Sequence, residues 1–83
     1  MKRDKLEIIR KILLICRNGG AKKTKIVYEA NLNFKSAEAY LKLLIDQKMI
    51  IKEEASFKTT PKGAALLSNL KNVSISLDLK QWN

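Results

Sequence analysis

Three lysines fall within four positions at Lys22, Lys23 and Lys25, with Thr24 between them. Ammonium groups at that density suit an array of anionic oxygens such as phosphates. A little further on, Lys35, Ser36, Ala39 and Lys42 recur at spacings that share one side of a helix, with Asn33 just ahead of them. Nothing comparable supports catalysis. Glu53 and Glu54 are adjacent, so on a strand they face opposite sides and form no acid–base pair. The sequence has no histidine to act as a general base, and it lacks a glycine-rich phosphate loop. One cysteine without histidine leaves zinc chemistry short of ligands and excludes a disulfide within the chain. The expectation is a protein that is not an enzyme, with no metal, cofactor or small-molecule ligand.

Charge points the same way. Of the net +9, residues 1–25 hold nine Lys/Arg against Asp4 and Glu7, a local +7. Residues 26–60 hold five lysines against five acids and are neutral; residues 61–83 hold three lysines against Asp78, a local +2. A pI of 9.9 makes a polyanion the expected partner. The apolar share of 46% is that of a chain able to fold around a core. At the start, Arg10 and Lys11 interrupt the apolar run and leave Ile12 to Cys16, too short for a signal-peptide core. No stretch approaches the ~20 apolar residues of a membrane helix. A single cytoplasmic domain over residues 1–83 is expected, with no membrane partner.

The elements that position the lysines follow from periodicity. Asp4 with Glu7 three residues on resembles a capping box, so a first helix starts near Lys5. Leu6, Ile9, Ile12, Leu13 and Cys16 form its predicted buried stripe, with Ile8 and Ile15 widening one flank. Gly19 or Gly20 is expected to end it in the left-handed C′ conformation. A second helix spans about Lys22 to Ala30, with Ile26, Val27 and Ala30 inward. A third runs from Phe34 to near Lys48 with Asn33 as N-cap, burying Phe34, Ala37, Leu41, Leu44 and Ile45. "MIIKEE" and "SFKTT" read as a hairpin turning at Ala55 and Ser56. Thr60 and Pro61 open a fourth helix.

Asn-Leu-Asn at 31–33 therefore interrupts two helices for about three residues, which makes a helix-turn-helix with Leu32 as its plug. Both asparagines suit the turn because Asn tolerates the left-handed region. With a hairpin and closing helix after it, the order α-α-α-β-β-α is a mainly α (α+β) winged helix-turn-helix. "KLEIIRKIL", "AKKTKIVYEANLNFKSAEAYLKLLIDQKMI" and "FKTTPKGAALL" resemble the small archaeal winged-helix DNA-binding family that includes the ten-kilodalton chromatin-associated proteins. That resemblance covers roughly residues 5–70. It implies double-stranded DNA binding without a cofactor, and homodimerisation through a C-terminal helix in an antiparallel coiled coil.

In a helix-turn-helix the start of the motif's recognition helix, here the third helix of the chain, enters the major groove. Lys35 and Ser36 then reach base edges or phosphates, and small Ala39 permits close approach; Asn33 either contacts a base or only caps. Glu38 is expected to pair with Lys42 at i,i+4. Leu43 points outward, to meet either the tail or a thymine methyl. The clamp of Lys22, Lys23, Thr24 and Lys25 grips phosphate at the start of the second helix. On the wing, Lys52, Ser56 and Lys58 can touch DNA, although Glu53 and Glu54 oppose it. Fourteen lysines against three arginines argue for backbone-dominated binding, because arginine is the commoner reader of guanine.

Tyr28, Tyr40 and Phe34 are read as core or core edge rather than as a base-stacking platform. Leu66, Leu70, Val73 and Leu77 follow the 4-3-4 rhythm of a coiled-coil seam and are expected to make the dimer contact. A strand reading competes, since Val73, Ile75, Leu77 and Leu79 alternate with polar residues. Trp82 is either an anchor for that contact or disordered. The function expected is a nucleoid-associated protein or transcription regulator. The alternative is a winged-helix module that docks another protein.

Overall fold

The computed structural model describes residues 4–69. Helix α1 spans Lys5–Ile15, and Asp4 caps it, its carboxylate accepting from the Glu7 amide at 2.8 Å. Its buried face is Ile8, Ile12 and Leu13, continued by Cys16. Leu6, expected in that stripe, is instead 58% exposed. Apolar residues surround so much of α1 that its sequence leaves the phase of the buried face open, and packing settles it on Ile8.

The chain leaves α1 at Cys16, earlier than the glycines. Gly19 and Gly20 do take positive φ, at 80° and 83°, but they turn the chain into a strand rather than ending the helix. A Cβ on Gly20 would lie 2.7 Å from the Lys58 side chain and 3.1 Å from the Phe57 carbonyl, so the close approach excludes any larger residue. Strand β1, Ala21–Lys22, follows at once.

Helix α2 (Lys23–Glu29) and helix α3 (Phe34–Asp46) are joined by four residues with a regular geometry. Asn31 sits at φ 54°, its amide donates to the Tyr28 carbonyl, and the Leu32 amide donates to that of Val27. This is a Schellman cap, with Leu32 supplying the apolar contact to the core. Asn33 then caps α3, its side-chain oxygen accepting from the Ser36 amide at 2.7 Å. The same cap ends α3: Lys48 takes φ 62° and donates to Ile45, while Met49 donates to Leu44.

Strands β2 (Ile50–Glu53) and β3 (Ser56–Thr59) form the hairpin, turning at Glu54 and Ala55. Glu54 holds a positive φ of 56°. The sheet has three strands, in the order β1-β3-β2 and antiparallel throughout. Ala21 faces Phe57 and Lys52 faces Phe57 from the other side. The strand β1 is an addition to the expected two-stranded hairpin.

The end of β3 ties the elements together. The Thr59 amide donates to the Cys16 carbonyl and its hydroxyl to the Leu13 carbonyl at 2.8 Å, closing the C-terminus of α1. The Thr60 amide donates to Met49 and its hydroxyl to Lys48 at 2.7 Å, closing that of α3. The same hydroxyl accepts from the Gly63 amide, capping helix α4 (residues 61–69) behind Pro61. Leu67 of α4 completes a core of Ile8, Ile12, Leu13, Cys16, Ala21, Ile26, Ala30, Leu41, Leu44, Ile50 and Phe57. Each fully buried Ile or Leu contributes about 1.5–3 kcal/mol over its exposed state. Cys16 is part of this core, where burial pushes its thiol up to about 11 against the opposing influence of Lys25. It is a packing residue.

Candidate nucleic-acid interface

Helix α3 buries Ala37, Leu41 and Leu44, which turns Lys35, Ala39 and Lys42 to solvent and leaves Ser36 partly covered. Ala39 lies on the crest, with a groove on either flank. Towards α1 the groove is lined by Lys5, Ser36, Tyr40 and Leu43. Towards the wing it is lined by Glu38, Lys42, Lys52 and Phe57. The outward arc is as expected, and Leu43 lies on it, 45% exposed. Asn33 does cap, its side-chain oxygen accepting from the Ser36 amide, which leaves its amide nitrogen as a donor.

The lysines differ in how they are neutralised. Lys22 is the extended residue before α2, exposed, while Lys23, Thr24 and Lys25 form the helix's first turn. Lys23 lies 3.6 Å from Glu38, and Lys25 lies 4.0 Å from Glu29. Glu38 therefore pairs across to α2 and not along α3 to Lys42, because its side chain leans to the flank where Lys23 stands. Exposed pairs of this kind are worth no more than about 1 kcal/mol, so an incoming phosphate can replace them. Lys22, Lys35 and Lys42 have no carboxylate partner among the described residues. On the wing, Lys58 is held 2.8 Å from Glu53, and the Lys52 ammonium lies 5.6 Å from the centre of the Phe57 ring.

Two aromatics are not where the sequence reading puts them. Tyr28 is 86% exposed. It lies two residues from buried Ile26, about 200° around a helix, so burying one exposes the other. Phe34 is 51% exposed, at the first position of α3 where the buried stripe runs out. Tyr40 packs against the core as expected.

Of the predicted dimer contacts, Leu66 is partly buried against the core, while Leu70, Val73 and Leu77 lie outside the described residues, as does Trp82. Among the described residues no helix is long and apolar enough to cross a membrane. No group of three or more His, Cys, Asp and Glu side chains could hold a metal ion there.

The winged helix-turn-helix family model matches residues 2–77. An uncharacterized protein of Methanocaldococcus jannaschii, MJ0290, is 42% identical over 73 residues, covering 88% of this chain. A second from that organism, MJ0287, is 38% identical over 69 residues, covering 83% of this chain. The chain spans 35% of the length of the first relative and 71% of the second. Among solved structures, Sso10a-2, a DNA-binding protein from Sulfolobus solfataricus, superposes with a TM-score of 0.79 at 26% identity, covering 95% of this chain and 87% of its own. IdeR of T. acidophilum superposes with a TM-score of 0.62 at 26% identity, covering 76% of this chain and 31% of its own. The chain belongs to the winged helix-turn-helix family.

Proposed function

We propose that this winged helix-turn-helix chain binds double-stranded DNA, laying α3 in the major groove and gripping phosphates with the lysines beside it. The observation that carries this reading is the outward face of α3. Lys35 and Lys42 stand without a carboxylate partner among the described residues, on either side of small Ala39. The likeness to Sso10a-2, a DNA-binding protein, supports it.

Lys35 and Ser36 are nearest the bases, with the amide of Asn33 beside them. Lys22, Lys23, Thr24 and Lys25 hold the flanking phosphates, and Lys58 contributes less because Glu53 neutralises it. The absence of arginine from α3 favours contacts to the backbone, hence modest sequence selectivity. Such a protein serves as a nucleoid-associated protein or as a regulator with a loosely defined site. A gel-shift competition between one promoter fragment and bulk DNA, at two salt concentrations, decides between them. Equal competition by bulk DNA identifies the nucleoid protein.

The chain acts as one domain and as a homodimer, through the segment after Thr60. The 4-3-4 spacing of Leu66, Leu70, Val73 and Leu77 supports this. Truncation after Lys71 is expected to give a monomer in sedimentation, with sharply weaker DNA binding through lost avidity. A truncated chain that stays a full-affinity dimer contradicts it. The exposure of Tyr28 favours the second reading, a module that docks a protein. Binding to DNA that is insensitive to salt, or absent, would leave that reading standing.

A further inference from the structure

The groove between α3 and the wing combines two kinds of surface that DNA does not need together. Its floor is apolar, formed by Leu41 and Ile45 of α3 and by Phe57 of the central strand β3. Its rim carries three ammonium groups, those of Lys23, Lys42 and Lys52, against the single carboxylate of Glu38. That carboxylate already faces Lys23 at 3.6 Å, which leaves Lys42 and Lys52 to act on anything that enters. Lys52 stands opposite Phe57 across the β2–β3 pair, with its ammonium 5.6 Å from the ring centre. The groove is open to solvent along its length and has a volume of about 380 Å³. That is within the range of small-molecule sites, roughly 300–1,000 Å³, which pair an apolar lining with a few placed polar groups.

A phosphodiester strand uses the lysines of such a groove and gains nothing from its floor. A neutral apolar molecule uses the floor and leaves the lysines unanswered. We propose that the groove is a binding site for a small amphipathic anion, an apolar ring or short chain carrying one acidic group. Its body lies on Leu41, Ile45 and Phe57, and its acid reaches Lys42 and Lys52. The site stands on this geometry alone. Its consequence rests on the DNA-binding reading: Lys23 and Lys42 belong to both surfaces, so the anion and DNA exclude each other and the anion releases the protein from DNA.

The test uses the full chain and three probes, namely 1-anilinonaphthalene-8-sulfonate, its neutral parent N-phenyl-1-naphthylamine, and inorganic sulfate. Amide chemical-shift mapping locates each, and titration gives its affinity. The sulfonate is expected to move the amides of Leu41, Ile45 and Phe57 and to bind at least about tenfold more tightly than either other probe. Lys42→Ala and Lys52→Ala, both changes at exposed positions, should each weaken it about five- to tenfold. Binding by the neutral parent as tight as by the sulfonate would reduce the groove to an apolar surface. Equal binding by sulfate would reduce it to a phosphate contact. Shifts centred on Leu6 or Leu43 instead would also overturn the site. In the presence of duplex DNA the sulfonate should displace it. A probe seated in the groove with DNA undisturbed would overturn the competition while leaving the site. Loss of DNA binding altogether, with the shifts intact, would remove the DNA-binding reading and still support the site.

Discussion

On α2, α3 and the residue just before them, Lys22, Lys35 and Lys42 have no carboxylate within ion-pair distance among the described residues, and Lys23 and Lys25 have only loose ones. On the wing, Lys58 sits 2.8 Å from Glu53, Lys52 lies over an aromatic ring, and Glu54 occupies the turn. The residue types are the same, but on one side most of the lysines lack a close carboxylate, whereas in the hairpin Lys58 is closely paired and only Lys52 is left without one among the described residues. What the hairpin does instead is structural. Its last residues close the C-termini of α1 and α3 and cap α4. On the proposed reading the helix-turn-helix is the grip on DNA, while the end of the wing is the joint that ties α1, α3 and α4 together.

The joint breaks hardest at Gly63. A Cβ there would meet the Met49 carbonyl oxygen at 2.2 Å, and backbone cannot move aside as a side chain can. Glycine to alanine inside a helix usually gains about 0.5–1 kcal/mol. Here Gly63→Ala should cost about 3 kcal/mol in urea unfolding, through overpacking. Unchanged stability would mean that α4 does not rest on the end of α3.

Thr60→Ala tests the same joint more gently. It removes the cap of α4 and the hydrogen bond to the Lys48 carbonyl together, and should cost about 2 kcal/mol. The contrast in charge is sharpened by a pair of single changes read as DNA affinity. Lys42→Ala should weaken binding about tenfold, and Lys58→Ala less than about threefold. Smallest of all, Glu53→Gln should free Lys58 and raise DNA affinity by about twofold. A decrease would show that Glu53 itself helps to place the wing on DNA.

Most of the scaffold is legible in the sequence because its signals are local. Asp4, Asn33 and Thr60 cap within three residues of themselves, and Asn31 takes the left-handed turn that its type permits. What escapes the reading depends on distant partners. Strand β1 is only two residues long and exists because Ala21 and Lys22 meet Phe57 and Ser56 far along the chain. Lys23 captures Glu38 across two helices, which no i,i+4 rule foresees. Gly63 looks in sequence like an ordinary helical glycine, and only the packed Met49 carbonyl explains it. Tyr28 is different: its offset of about 200° from Ile26 follows from spacing alone, and in the fold that angle outweighs the apolar character of the ring. The lysines of the candidate interface are legible as residues, whereas their pairing depends on contacts across elements.

Salt dependence of duplex binding tests the division between grip and joint most directly. If each chain neutralises about four phosphates, log K against log salt should have a slope near −3.6 per chain. Replacing Lys22, Lys23 and Lys25 together by alanine should flatten it to about −0.9, whereas replacing Lys52 and Lys58 should change it by less than about 1. A wing variant that flattens the slope as much as the triple variant does would contradict the division between grip and joint.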